Sequence, residues 1–349
     1  MWNSQLVYMT IFALKLENRV KILIIRFSSI GDIVLTTPII RCLKNQLEGD
    51  VELHFLTKNQ YKSILVSNPN ISKVFGIEKS TNEIIEVLKS ERYDYIIDLH
   101  KNLRSKRVIG KLKVLSFSFD KLNVEKWLMT AFKINKLPNV HIVDRYFGAV
   151  KSLGVENDNN GLEFYIPKTE VFDLKNLSEI HQNEYVSFAI GAQHFTKRLP
   201  SEKMIQIIKH LNLPVVLLGG KEDFETGEKL KNSVGDLVIN TCGKLSLNQS
   251  ASLVEQSKVL LTHDTGLMHI GAALKVNLVS VWGNTIPEFG MYPYFPNQPE
   301  KFSCIENKLL ACRPCSKIGY DKCPKKHFKC MNDLNNQDIV DAVVKFFKD

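Results

Sequence analysis

Several things are missing from this 349-residue chain. No run of 18 or more apolar residues occurs, which argues against a membrane-crossing helix. Residues 1–19 have no basic leader and no small-residue cleavage site, so they do not read as a secretory signal. The strands that can be recognised are not followed by a Walker A loop or by G-x-G-x-x-G, which argues against P-loop hydrolysis and ordinary dinucleotide binding. No short repeat or low-complexity tract is present. Aromatic residues are sparse among the basic ones, which weakens a single-stranded nucleic-acid reading.

What is present is a globular composition, 44% hydrophobic and 24% charged, with a formal net charge of +9. Between His100 and Lys151 twelve Lys/Arg face three Asp/Glu, so this one segment carries an excess equal to that of the whole chain. Such a segment is either a solvated lysine-rich face or a surface for phosphates on lipid, glycan or nucleic acid. Residues 1–19 are expected to be a poorly ordered extension, with Met1 or Met9 as the start.

Apolar runs alternate with helical periodicity from residue 20 onward. VKILIIRF, VELHFLT and YDYIIDLHK read as buried strands. Between them lie a helix over 38–47, with Thr37 as its cap, and TNEIIEVLKS, capped by Thr81. The pattern loosens over 120–168. It resumes with strands EYVSFAIGA, LPVVLLGG, LVINTCG, KVLLTHDTG and VNLVSVWG. The helices between them include SEKMIQIIKHL, capped by Ser201, and GLMHIGAALK; NQDIVDAVVKFF closes the chain. Two β-α series predict two Rossmann-like domains, 20–168 and 169–349, each with a covered parallel sheet. Ligands in such folds gather beyond the carboxyl ends of the strands. If two such domains face each other, the stretches SSIGD, DLHKNLR, IGAQHFTKR, LGGKED, HDTGLMH and WGN border one cleft.

In the stretch 26–38, RFSSIGDIVLTTP, Asp32 stands where an anion-binding turn would hold a phosphate. In HDTGLMHIGAAL, the Asp264–Thr265–Gly266 loop opens a helix whose N–H groups suit a diphosphate, with His269 one turn on; a capped helix with a buried histidine is the alternative. Lys197 and Arg198 follow a strand end, where a lysine can offset a leaving phosphate, although such a pair is also an ordinary solvated face. After the strand ending Gly219–Gly220, Glu222 and Asp223 suit either ribose hydroxyls or a helix N-terminus. Five of seven cysteines fall between Cys304 and Cys330. The spacing C-x2-C-x7-C-x6-C makes Cys312, Cys315, Cys323 and Cys330 candidate ligands of a structural zinc, with free thiols or redox pairing as alternatives.

Taken together, RFSSIGDIVLTTP, GAQHFTKRLP and HDTGLMHIGAALKVNLVSVWG resemble glycosyltransferase family 9, the ADP-heptose:lipopolysaccharide heptosyltransferases, over most of the chain. CPKKHFKCMNDL looks like the tail of many members. The resemblance implies a GT-B fold, acceptor on the N-terminal domain and nucleotide sugar on the C-terminal one. It also implies inverting transfer with no metal required for catalysis. On this likeness Asp32 matches the catalytic base, Lys197 the phosphate contact, Asp264, Thr265 and Gly266 the nucleotide loop, His269 the helix histidine, and Asp223 the ribose contact. Ser29, Gly31 and Arg104 become candidate acceptor contacts. Ala192, Gln193 and Leu199 depart from the hydroxyl residues and tryptophan of some members, which puts the donor sugar in doubt. The implied partners are an ADP-sugar and an acidic lipid-linked saccharide, met by a cytoplasmic protein at the inner membrane face. A non-catalytic nucleotide- or glycan-binding protein of the same fold, a transferase using another nucleotide sugar, and a Rossmann oxidoreductase are the competing readings.

Overall fold

The computed structural model describes residues 19–348. The expected N-terminal extension therefore lies outside the described residues, except Arg19, which begins the first strand. By internal contacts the chain forms two compact units, Met1–Lys121 with Val143–Asp158, and Leu122–Ile142 with Asn159–Asp349.

The first unit is built on a five-stranded sheet of β1 (Arg19–Ile25), β2 (Asp50–Lys58), β3 (Lys73–Ile77), β4 (Tyr95–Asp98) and β5 (Leu115–Ser118), in the order β3-β2-β1-β4-β5. All its pairings are parallel. Ile22 to Ile25 of the central strand are fully buried, as a strand covered on both faces requires. Its helices are α1 (Ile30–Val34), α2 (Thr37–Gln46), α3 (Ile85–Ser90) and α4 (Leu103–Leu112), and α6 (Ile142–Phe147) returns to it from the second unit.

The second unit begins with α5 (Asn123–Phe132). Its strands are β6 (Val186–Ala189), β7 (Val215–Leu218), β8 (Val238–Asn240), β9 (Val259–His263), β10 (Asn277–Trp282) and β11 (Phe302–Glu306). They form one parallel sheet in the order β11-β10-β9-β6-β7-β8. Five further helices complete the unit: α7 (Ser201–Leu211), α8 (Phe224–Val234), α9 (Leu247–Glu255), α10 (Gly266–Ala273) and α11 (Lys329–Asn332). The terminal α12 (Asn336–Lys348) buries Ile339, Val340, Val343 and Phe346 in the core over β6, β7, β9 and β10.

Both sheets show the doubly wound order. The strand order reverses between β1 and β4 in the first unit and between β6 and β9 in the second. Those two switch points are where open α/β sheets bind ligands.

The domain boundary differs from the expected 168/169. It falls at 158/159, and residues 122–142 join the second unit. The reason is local bonding. Lys133 donates to the carbonyl of Pro314 at 2.6 Å, and the Ile142 amide to that of Gly290 at 2.8 Å. Asn297 donates to the carbonyl of Asn159 at 3.0 Å. Three helix starts also shift. α2 begins at Thr37 after Thr36, TNE is a short 3-10 turn capped by Ser80, and Pro200 rather than Ser201 precedes α7.

Candidate active site

At the first switch point β1 runs into the short helix α1. Ser29 precedes it in extended conformation, and Asp32 is the third helical residue. The Asp32 carboxylate reaches back to its own turn. Its Oδ2 accepts from the Ser29 amide at 3.2 Å and from the Ser29 hydroxyl at 2.9 Å. The other oxygen pairs with Arg26 Nη2 at 2.5 Å. Arg26 is itself buried and held from every side. Its Nε donates to Ser28 O at 2.8 Å, and its Nη1 to Leu99 O at 2.6 Å and to the Tyr146 hydroxyl at 3.2 Å.

Burial pulls the charges of this pair in the neutral direction, and the pairing reverses both effects. Burial would raise the Asp32 pKa, but the Arg26 guanidinium and the Ser29 donors hold the carboxyl below its ordinary value. Burial would lower Arg26, and the Asp32 carboxylate raises it instead. The neighbouring strand end, after β4, adds His100, whose pKa falls to about 3 through burial and the nearby Arg26 and Lys121 charges. It is a neutral imidazole, with Nδ1 buried and unpartnered. The Arg104 guanidinium lies 5.6 Å from the Phe27 ring centroid, and the His100 ring meets the same phenyl edge-on at 5.4 Å. Of the expected acceptor contacts, Arg104 is half-buried beside this turn. The Ser29 hydroxyl is engaged by Asp32, and Gly31 is buried, its carbonyl accepting from the Leu35 amide.

At the second switch point Lys197 closes a 3-10 turn after β6. Its ammonium contacts Asp264 Oδ2 at 2.6 Å and Asp264 O at 3.3 Å, and the Thr285 hydroxyl donates to the same Oδ2 at 2.9 Å. Asp264 and Thr265 join β9 to α10, which starts at Gly266. The Thr265 side chain makes no cap to this helix; its hydroxyl meets that of Thr262 at 3.2 Å. The first N–H groups of α10 are thus left for another acceptor, beside a lysine. His269 is buried within α10 rather than at its surface.

Of the two expectations for Asp223, the structure shows the helix N-terminus. Asp223 is 4% exposed, with its carboxylate accepting from the Gly220 amide at 2.9 Å and from Arg198 Nη1 at 3.1 Å. Burial raises its pKa, only partly offset by Gly220 and Arg198. A Cβ at Gly191 would lie 2.0 Å from its Oδ2, so glycine there makes room for this inward carboxylate. The side chain caps its own turn and pairs with Arg198 instead of facing outward. Glu222, one residue away, is exposed.

A sequence profile of glycosyltransferase family 9 (heptosyltransferase) matches residues 82–319. The chain belongs to that family. Lipopolysaccharide heptosyltransferase 1 of Campylobacter coli is 23% identical over 94% of this chain and 99% of its own length. Lipooligosaccharide heptosyltransferase 2 of Haemophilus influenzae is 24% identical over 90% and 99%. Among solved structures, a family 9 glycosyltransferase from Veillonella parvula superposes with a TM-score of 0.76 at 20% identity, covering 94% of this chain and 97% of that one. ADP-heptose heptosyltransferase II of Escherichia coli gives 0.71 at 20% identity, covering 94% and 98%. Both observed sheets are those of the expected GT-B fold, and the family makes this chain a glycosyltransferase.

The cysteine segment of this family 9 chain is bonded to the loops that carry Lys197 and Thr285. Thr196, next to Lys197, exchanges bonds with Tyr320: its amide donates to Tyr320 O at 3.1 Å, and its hydroxyl accepts from the Tyr320 amide at 2.8 Å. Arg313 is buried, paired with Glu306 at 2.9 Å, and donates to the carbonyls of Thr285 at 2.7 Å and Asn307 at 2.8 Å. The segment thus supports both loops that carry Lys197 and Thr285. The four candidate thiols lie within electrostatic reach of one another: burial and then Cys312 and Cys323 raise the pKa of Cys315, and burial and then Cys315, Cys323 and Cys312 that of Cys330. Cys312 Sγ lies 3.9 Å from His327 Nε2. Among the described residues the group whose donor atoms lie within 4.8 Å of one another is Glu52, His54 and Glu91. Its carboxylates are already taken by Lys21, Lys73 and Arg19, so it reads as a charge network.

Sequence reasoning overlooked Arg26, Tyr146 and Arg313. Arg26 stood inside the quoted first motif, directly after a buried strand, and a charge in that position needs a partner. Tyr146 and Arg313 carry no local signal, since their partners are distant in the chain.

Proposed function

We propose that this chain transfers a heptose from an ADP-sugar to an anionic, lipid-linked saccharide of lipopolysaccharide-core type, with inversion at the anomeric carbon. The relatives that match it nearly end to end are named heptosyltransferases, and two Escherichia coli heptosyltransferase structures of the same fold hold ADP and ADP-2-deoxy-2-fluoro heptose. The observation that carries the reading is an ionised carboxylate, Asp32, fixed at a switch point by a buried arginine.

In the proposed step an acceptor hydroxyl oxygen attacks the anomeric carbon while Asp32 takes its proton. The bond from that carbon to the diphosphate breaks, and its electron pair leaves on the phosphate oxygen. Lys197 and the open N–H groups of α10 receive that charge. The transition state has oxocarbenium character, as in glycoside hydrolysis. No step is given to a metal ion. Zinc at Cys312, Cys315, Cys323 and Cys330 would act on folding alone; metal content of the purified protein, compared with a Cys312→Ser/Cys315→Ser variant, decides whether it is held. The protein would work in the cytoplasm, meeting the inner membrane face through its basic segment.

The inward position of Asp223 favours keeping one second reading, transfer from another nucleotide sugar. A thermal-shift screen of ADP-, UDP- and GDP-sugars separates the two, because a ligand of the native state raises its stability. Stabilisation by ADP-heptose followed by transfer supports the proposal. Stabilisation by UDP- or GDP-sugars alone moves the donor. Binding without transfer leaves a non-catalytic protein.

A further inference from the structure

The helix α5 is anomalous. It is ten residues long and none of them is buried. Val124, Trp127, Ala131 and Phe132 recur at helical spacing along one face, and all are exposed: Val124 65%, Trp127 53%, Phe132 58%. The two large rings meet edge-on, 5.1 Å between centroids, and form one apolar ridge. Ile134, just beyond, is exposed as well. The other side is tied down. Lys133, which closes the helix, donates through its ammonium to the carbonyls of Thr130 at 2.9 Å, Pro314 at 2.6 Å and Cys312 at 3.3 Å. The helix is therefore anchored at its end and presents its rings outward.

We infer that α5 is the membrane-docking element of this protein, with its Trp127–Phe132 ridge entering the interface of an anionic bilayer. The surrounding charge selects that occupant. Between Leu122 and Ile142, the stretch of its own unit that holds the helix, Lys126, Lys133 and Lys136 stand against a single acidic residue, Glu125, and exposed Lys136 follows the ridge. A cationic surface with an aromatic ridge is complementary to acidic headgroups over acyl chains, whereas a second copy of the same surface would repel it. Tryptophan in particular settles at the headgroup level. No described helix is long and apolar enough to cross a membrane. Membrane docking deepens the reading of a lipid-linked acceptor and rests on it.

The test uses the full chain in a Trp2→Phe background, leaving exposed Trp127 and buried Trp282 as fluorophores. Vesicles containing phosphatidylglycerol should blue-shift the emission, and brominated acyl chains should quench it; phosphatidylcholine vesicles should do neither. Trp127→Ser/Phe132→Ser should lower vesicle affinity about tenfold or more, since burying either ring is worth more than a power of ten. Its circular dichroism should be unchanged, because neither side chain is buried. Transfer to a soluble, delipidated acceptor should also be unchanged. Equal vesicle binding by the variant overturns the inference. So does a dimer of the parent protein in light scattering that the substitutions dissolve. Intact vesicle binding with no transfer to either acceptor would instead sink the transferase reading and leave the surface standing.

Discussion

Asp32→Asn separates chemistry from architecture. The substitution keeps the shape but only one of the two acceptor oxygens, so either the Ser29 donors or Arg26 lose their acceptor. It removes the charge and the proton-accepting capacity. Breaking a buried ion pair by losing one partner can cost about 3–5 kcal/mol. Here the cost should fall well below that. The Asp32 side chain is 24% exposed, and Arg26 retains the Ser28 and Leu99 carbonyls and the Tyr146 hydroxyl as acceptors. General-base assistance is worth ~10²–10⁴ in rate, or about 3–5 kcal/mol of barrier. The expected result is a folded protein with unchanged ADP affinity and a transfer rate lower by at least about 10². Single-turnover transfer, calorimetric ADP titration and the thermal midpoint, measured on one preparation, read all three. Transfer by folded Asp32→Asn within about tenfold of the parent, far inside the usual range for a base, would refute the assignment.

Three further outcomes are expected. The acid limb of kcat/KM should lie below the ordinary aspartate value of about 3.9, because Asp32 has a lowered native pKa and is protonated only as pH falls through it; a limb near about pH 6.5 would point to a histidine as base. Lys197→Ala should weaken ADP binding about tenfold or more and slow transfer, since a charge-assisted contact is worth about 1.5–3 kcal/mol; an unchanged ADP Kd removes Lys197 from the donor site. Glu91→Gln tests the charge network at the other end of the first sheet. Hydrogen bonds from Lys73 and then Lys21 bring Glu91 to about 2 from 4.5, so its stabilisation is complete above the unfolded value and lost as pH falls from 4.5 toward 2. With solvent screening this is worth about 1 kcal/mol, so the variant should melt lower at neutral pH and the gap should close in acid; an equal gap in acid would refute it.

The central strands were legible because a strand buried on both faces must be an unbroken apolar run, as Ile22 to Ile25 and Val259 to Leu261 are. The strands that went unread, β3, β5 and β11, all lie at sheet edges and are largely half-exposed or open to solvent, so they carry no such run. The basic segment hid a helix, α4, behind its charge; its start is an Asn102 side chain accepting from the Ser105 amide. Among the candidate residues, Lys197, Asp264 and Asp32 could be placed at strand ends because each follows a readable strand. The inward turn of Asp223 was not legible. It depends on Gly191, across the sheet in a different loop, leaving space that no local pattern announces.

The pairing of Asp32 with Arg26 carries a chemical consequence. A lowered pKa makes the carboxylate a weaker base, which on its own would slow proton abstraction. Burial without a partner would have the opposite fault, leaving the group protonated for part of the time at neutral pH. The proposed reaction tolerates weak basicity, because a hydroxyl oxygen becomes strongly acidic as it bonds to an oxocarbenium-like carbon. The proton then has to be accepted late, by a group that is always ionised and correctly placed. Arg26 supplies the ionisation, and the Ser29 amide and hydroxyl fix the oxygen. The same logic explains why the carboxylate stands in a turn that could otherwise hold an anion. With the first turn occupied by its own negative charge, the proposed phosphate contact is left to Lys197 and the start of α10 at the other switch point.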